Sequence, residues 1–440
     1  MRIAHLTDLH LRHHVPGTAQ VPARRSRRMP EFLERAAKAI QDARPDLLVL
    51  SGDLLDYPPY AMHDPEMQAL AERDLRLIAQ KLEAILCPKA VVHGNHDHAE
   101  VQRRVYGTLS SDFACAGHRV LCFHDDEGDG HFPRRLGAQR ERFLEALRDG
   151  DPAPQIHVQH YLVHPERNAG YPHTYRESAS LRAAIEASAR VKLVLSGHLH
   201  AGTVPDTQSG VTYAAAPAFC EFPHRWRLYE VGANGVEAIE QAVQSASAPR
   251  RRAVFLDRDG TINPQPSYRW GPEPFELLPG AAEALRDLQA AGYALVVVTS
   301  QSCVGQGYVT AETVNAVHDK MARLLKEAAG VELDGVYASY HAGDHAVLPE
   351  FRGSHRDVKP DTGLLERAAH DLHLELQGCW MIGDSATDLE AGRRAGGQSI
   401  LVRTGHGARV EAELAPGAAA FVAADLRAAA EWILKQEGSK

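Results

Sequence analysis

Two sets of residues in this chain have types and spacing suited to chemistry. The first set is Asp8 and His10, Gly52 and Asp53, Gly94-Asn95-His96-Asp97, His160, and Gly197-His198-Leu199-His200. Each group follows a short apolar run. Carboxylate, imidazole and amide side chains together suit borderline or hard divalent ions such as Mn, Fe or Zn. A glycine ahead of an acidic or amide ligand lets the backbone turn sharply off a strand. The second set opens with Asp257-Arg258-Asp259-Gly260-Thr261, again after an apolar run. Two aspartates at i and i+2 can face one pocket when the strand ends in a turn. One carboxylate can attack phosphorus while the other handles the proton of the leaving group. Downstream, an apolar run ends in Thr299 and Ser300, Lys359 supplies a cation for phosphate, and Asp384 and Asp388 offer the oxygen ligands that Mg²⁺ favours.

The elements that must position these residues are short strands alternating with helices. In the first half the apolar runs are 3–6, 47–50, 90–92, 156–158 and 193–195. In the second they are 254–256, 294–298, 380–382 and 399–402. Helical stretches lie between them at 31–43, 66–85, 281–291 and 311–329. This alternation predicts α/β sheets with buried central strands. Ligands in such sheets sit beyond the carboxyl ends of the strands, where both residue sets fall. Residues 244–252, small and polar with a proline, read as a linker. We therefore expect two domains, 1–245 and 252–440, with no internal repeat.

The first set, in its order and spacing, resembles the calcineurin-like metallophosphoesterases over roughly residues 1–240. The resemblance implies a four-layer α/β sandwich with two metals. Asp8, His10, Asp53 and His200 would hold one. Asp53 would bridge to a second held by Asn95, His160 and His198. His96 would stand beside the leaving group as an acid or phosphate contact. Two ions about 3.5–4 Å apart activate a hydroxide and neutralise phosphoryl oxygens. His157 and His164 lie close to His160, but His160 directly follows the apolar run and precedes Tyr161. His13, His14, His93 and His98 are left between lining the pocket and packing. The basic run Arg24, Arg25, Arg27 and Arg28 reads as a solvated face, with a phosphate grip as the alternative. Within the family, the opening Asp8-Leu9-His10 looks most like cyclic-nucleotide and related phosphodiesterases.

The second set resembles the haloacid dehalogenase (HAD) superfamily of phosphatases over roughly 252–435, implying a Rossmann-like domain with a minimal cap. It looks closest to the heptose-bisphosphate and histidinol-phosphate phosphatase branch. The implied roles are Asp257 as nucleophile, Asp259 as acid/base, and Thr299, Ser300 and Lys359 as phosphate contacts. Asp257, Asp259 and Asp384 would hold Mg²⁺. Three departures stand out. Ser300 replaces the branch's usual Asn, and Val358 its usual Arg. The branch's zinc loop uses cysteines, whereas the matching places here are Ser339, His341, His355 and Asp357. Either His341, His355 and Asp357 hold zinc, or the loop is held by hydrogen bonds alone. The departures favour the second.

Composition narrows the class. The chain has 440 residues, 44 % hydrophobic and 24 % charged, with a net charge of −9. That excludes a mostly disordered, collagen-like or coiled-coil chain and argues against a nucleic-acid coat protein. The six cysteines are scattered with no C-x-x-C pair, so neither a disulfide framework nor a four-cysteine zinc site is indicated. Of the 25 histidines, 18 precede residue 246, as a histidine-rich metal centre there requires. With no signal-peptide pattern and no membrane span, a cytoplasmic protein is expected. Together these point to a bifunctional hydrolase. Phosphodiester cleavage would occur in the first domain and phosphomonoester cleavage, through an aspartyl-phosphate, in the second, in sequence on one phosphorylated small molecule. The alternatives are a nucleic-acid end-processing enzyme, or a chain in which one domain is a non-catalytic binding module.

Overall fold

Alternation of apolar residues along the strands divides the first half of the chain into layers. In the computed structural model, residues 1–15, 21, 23–57, 63–169, 171–243, 250–265 and 271–437 are described. Its strands are β1 (Arg2–Leu6), β2 (Leu47–Ser51), β3 (Lys89–Val92), β4 (Asp112–Cys115), β5 (His118–Cys122), β6 (Asp126–Glu127), β7 (Pro133–Arg134), β8 (Gln155–Val158), β9 (Val191–Ser196), β10 (Asp206–Gln208), β11 (Val211–Ala215), β12 (Arg225–Gly232) and β13 (Gly235–Ala242). Its helices are α1 (Met29–Ala43), α2 (Pro65–Lys81), α3 (Ala99–Tyr106), α4 (Gly137–Ala146) and α5 (Ser178–Ser188).

One sheet runs β13-β12-β1-β2-β3 and the other β10-β11-β9-β8-β5-β4. On β2, Leu48 and Leu50 face the core beneath α1 and α2, while Leu47 and Val49 face the core between the sheets. On β9, Leu193 and Leu195 enter that same middle core, while Val194 packs under α4 and α5. Period-2 burial on both faces thus makes a helix–sheet–sheet–helix sandwich. The covering helices show the matching period. On α1, Met29, Phe32, Leu33, Ala36, Ala37 and Ile40 form one buried stripe.

The second half has strands β14 (Arg251–Leu256), β15 (Ala294–Ser300), β16 (Gly335–Ser339), β17 (Leu374–Gly383), β18 (Gln398–Val402) and β19 (Phe421–Ala423). Its helices are α6 (Ala281–Ala290), α7 (Ala311–Ala329), α8 (Gly363–Asp371), α9 (Ala386–Arg394), α10 (Gly407–Glu413) and α11 (Leu426–Glu437). Every strand pair is parallel, in the order β16-β15-β14-β17-β18-β19. Val254 and Leu256 face the core under α6, α7 and α11, whereas Ala253 and Phe255 face the one under α8. The order in which successive strands are laid down reverses between β14 and β17, so the ligand crevice of such a sheet opens between their carboxyl ends. Among the described residues, no helix stands between β14 and α6.

The chain divides into two compact units, Met1–Val15 with Ser26–Ser247, and Pro16–Arg25 with Ala248–Lys440. The linker read at 244–252 falls largely outside the described residues. Among the described residues no helix is long and apolar enough to cross a membrane.

Candidate metal centres

In the first unit five strand ends converge. Asp8 and His10 follow β1, Asp53 follows β2, Asn95 and His96 follow β3, His160 follows β8, and His198 and His200 follow β9. Backbone hydrogen bonds lock these loops to one another: Asp8 N donates to Gly52 O (3.0 Å), His10 N to Asp53 O (2.9 Å) and Gly197 N to His160 O (2.9 Å). Ligand atoms gather in two groups that share one carboxylate, His10–Asp53–His96 and Asp53–His160–His198, each within 4.8 Å. His200 Nε2 lies 3.2 Å from His10 Nε2 and 3.6 Å from Asp8 Oδ1. Asn95 Oδ1 lies 3.3 Å from His160 Nε2. Of the neighbouring histidines, His157 pairs with Gln155 and His164 with Asp206, both away from this group. Arg27 and Arg28 are engaged by His13 O and Glu31.

The backbone here is under tension. Asp8, His10, Asp53 and His198 all have positive φ, between 42° and 64°. Side chains rarely adopt that conformation unless the surroundings enforce it, and such residues cluster at functional sites. The glycines contribute in a way that differs from the expected sharp turn. Gly52 does turn, at φ 97°. Gly94 and Gly197 have ordinary φ, and their need is space. A Cβ on Gly94 would overlap Asp53 Oδ1 and His160, and one on Gly197 would overlap Thr7 Oγ1.

The donors fit divalent cations. Asp8 Oδ1 and His198 Nε2 are buried without a hydrogen-bond partner. Isolated buried carboxylates and imidazoles are costly, and a cation answers them. Burial holds the His198 imidazole well below its usual range and keeps it neutral, the state that ligates. Surrounding residues orient the donors. Asp97 accepts from Leu54 N, Leu55 N and Gly94 N. Glu221 holds His200 Nδ1 at 2.6 Å, the outer-carboxylate arrangement that fixes a ligating ring. Sequence reasoning missed Glu221. Asp97 was visible only as the residue after His96.

In the second unit the switch point holds a carboxylate cluster. Asp257 follows β14, Asp384 follows β17 and Asp388 lies on α9, with oxygens within 4.8 Å. Lys359 Nζ donates to Asp257 Oδ1 (2.8 Å), to Val298 O (3.2 Å) and to Asp388. Three buried carboxylates beside one lysine leave net negative charge, and all-oxygen donors match Mg²⁺. Burial pushes the Asp257 carboxyl up to about 7 against the pull of Lys359. Gly260 and Gly405 both close on Asp384 Oδ2, and a Cβ on either would collide with it.

Asp259 is not in that cluster. Its carboxylate is held by Arg258 (Nε 3.0 Å, Nη2 2.7 Å), Gln301 Nε2 (2.9 Å) and Asn263 Nδ2 (2.9 Å). Although burial works against ionisation, the Arg258 guanidinium holds it below the usual carboxylate range. Asp388 takes the third place in the cluster. Asp259 instead borders a cavity of about 230 Å³ lined by Arg258, Asn263, Gln265, Phe275 and Val314 among others. Thr299 Oγ1 accepts from Gln301 Nε2 (2.9 Å), and Ser300 is exposed at the end of β15. In the altered loop, His341 and His355 stack face to face with centroids 3.9 Å apart, and Arg367 engages Asp357. These three are absent from the converging groups found among the described residues.

The family profile of calcineurin-like phosphoesterases matches residues 1–202, and that of HAD-hydrolase-like proteins matches 358–429. The chain is thus a phosphoric ester hydrolase that joins a metallophosphoesterase domain to a HAD-like phosphatase domain. A D-glycero-D-manno-heptose-1,7-bisphosphate 7-phosphatase of Thermosynechococcus vestitus is 39 % identical over 187 residues, 42 % of this chain and 95 % of that one. Through its second half the chain belongs to the family of these phosphatases. Among solved structures, the D,D-heptose 1,7-bisphosphate phosphatase of B. bronchiseptica, complexed with magnesium and phosphate, is 32 % identical, covering 42 % of this chain and 99 % of its own, at TM-score 0.38. A dimetal phosphatase from Danio rerio is 14 % identical, covering 56 % and 99 %, at TM-score 0.40.

Proposed function

We propose that the first unit hydrolyses phosphodiesters with two divalent transition-metal ions, and that the second removes the phosphate of a phosphomonoester with Mg²⁺ through an aspartyl-phosphate. One observation carries the reading. Each unit places a buried cluster of cation-binding side chains at the carboxyl ends of parallel strands, the first around Asp53 and the second around Asp257. In the first unit Asp8, His10, Asp53 and His200 would hold one ion, and Asp53, Asn95, His160 and His198 the other. Such ions, Mn, Fe or Zn, supply positive charge to phosphoryl oxygens and lower the pKa of water. His96, whose ring meets the edge of His10 with centroids 4.8 Å apart, protonates the leaving oxygen.

In the second unit, Asp257 attacks phosphorus as the bond to the leaving alcohol breaks, and Asp259, which takes up a proton from solvent against the pull of Arg258 as substrate enters, gives it to that alcohol. Asp259 then takes a proton from water. The water oxygen bonds to phosphorus, the bond to Asp257 breaks, and inorganic phosphate leaves. Lys359, Thr299 and Ser300 hold the phosphoryl oxygens. Asp257, Asp384 and Asp388 would hold Mg²⁺, which would neutralise the charge of those oxygens. The substrate of this unit is a phosphorylated small molecule. Relatives named for heptose-bisphosphate hydrolysis support that class, as does a cavity beside Asp259 with room for a small alcohol. Joined in one chain, the two reactions run in sequence, since tethering raises the local concentration of the monoester that diester cleavage leaves.

The test follows nitrophenol and inorganic phosphate together from bis(p-nitrophenyl) phosphate with Mn²⁺ and Mg²⁺. Wild type should release both, and Asp257→Asn should stall at the monoester. Absence of nitrophenol release from either protein overturns the diesterase reading. Phosphate release unaffected by Asp257→Asn overturns the role of the second unit.

A further inference from the structure

Cys220 lies where a metal ligand would. A ligand nitrogen of His10, one of His200 and the Cys220 sulfur all lie within 4.8 Å of one another. The backbone holds the cysteine there. Cys220 N donates to Asp8 O (3.0 Å), Phe219 N to Thr7 O (3.0 Å) and Ala218 N to His200 O (2.9 Å), so this stretch is laced to both segments that carry the neighbouring donors. The next residue, Glu221, fixes the His200 ring through Nδ1 and leaves Nε2 facing His10 Nε2. Two imidazole nitrogens 3.2 Å apart gather here with Asp8 Oδ1, a buried oxygen that accepts no hydrogen bond and lies 3.6 Å from His200 Nε2. Cys220 is fully buried beside it. Cys115 and Cys122, also buried, are in no such group and pack between the two sheets.

We propose that Cys220 is a thiolate ligand of the ion held by His10 and His200. The proposal rests on the metal-centre reading of the first unit. On ligation the thiol proton passes to solvent and no electron is transferred. A sulfur donor shifts this position toward thiophilic borderline ions, Zn²⁺, Fe²⁺ or Co²⁺, and away from Mg²⁺ and Ca²⁺. The two positions of the centre then differ in softness, since sulfur reaches one of them only.

The full-length protein is stripped of metal and reloaded with Co²⁺, and its metal content is measured beside its absorption spectrum. Wild type should show a sulfur-to-cobalt charge-transfer band in the near ultraviolet. Cys220→Ser should lose the band, and Cys122→Ser and Cys303→Ser should keep it. Cys220→Ser should also weaken Zn²⁺ at least about tenfold while leaving Mn²⁺ nearly unchanged, the smaller end of what ligand-supporting partners contribute. If Cys220→Ser misfolds by circular dichroism, X-ray absorption of the zinc-loaded wild type decides alone. A sulfur scatterer at about 2.3 Å supports the ligand, and a shell of nitrogen and oxygen only overturns it. A full cobalt load without the band, or a band that survives Cys220→Ser, overturns the proposal and leaves the metal centre standing. Failure to bind any ion that Asp53→Asn removes overturns both.

Discussion

Asp259 shows how much one side chain's partners say about its task. Its carboxylate is turned from the Asp257 cluster onto Arg258, Gln301 and Asn263, beside the cavity. A group that exchanges a proton with the leaving alcohol belongs there. Asp259→Asn should lower phosphomonoester turnover about 10²–10⁴-fold, the usual worth of a general acid or base. Nitrophenol release from the diester should be unchanged. A different residue predicts acid sensitivity. His318, buried on α7 with Nε2 unpartnered, has its pKa held down to about 3 by burial, then by the Arg258 charge. The unfolded chain takes up that proton near pH 6.5 and the native state refuses it. The stability contribution is therefore complete above pH 6.5 and falls as pH drops toward 3. Urea unfolding should show about 2 kcal/mol lost from this site between pH 6.5 and 5, and His318→Phe should remove that increment. At this scale the sequence was readable wherever a donor follows within a few residues of an apolar run, as Asp8, Asp53 and Asp257 do. It was silent on Cys220 and Glu221, which reach the site from a loop between β11 and β12 that carries no apolar-run signal.

Helix α9 joins stability to chemistry. Ser385 Oγ and Asp388 form a reciprocal cap, Ser385 Oγ accepting from Asp388 N while Asp388 Oδ2 accepts from Ser385 N. The other oxygen of Asp388 receives Lys359. Ser385→Ala should cost about 1 kcal/mol in urea unfolding. Because it also loosens Asp388, it should weaken Mg²⁺, read by calorimetry in the same samples. Elements with strong periods were plain in the sequence. The spacing over 311–329 corresponds to α7, and the runs at 47–50 and 254–256 to β2 and β14. The antiparallel additions β12, β13, β10 and β4 escaped notice. Their exposed faces mix charged and apolar residues, as in the half-exposed β13, and they read as neither a buried run nor a helix.

Two units with separate cores should fail separately. Asp53→Asn should abolish diester cleavage and leave phosphomonoester turnover within about twofold, and Asp257→Asn should do the reverse, because the two clusters belong to separate units and share no residue. Assays with p-nitrophenyl phosphate and its diester on the two single variants and the double variant check this. The two-unit organisation was legible because a second strand-then-Asp pattern restarts at residue 253.

The glycines of both centres carry a consequence for variation. At Gly94, Gly197, Gly260 and Gly405 the smallest added atom already strikes a donor oxygen or its immediate neighbour. In a saturation scan scored for function, these four columns should be blank for all nineteen substitutions, alanine included. Columns facing the cavity, such as Phe275 and Val314, should tolerate exchange. Drift in this chain is thereby channelled: what the pockets accept can change step by step, while the geometry that holds the ions cannot.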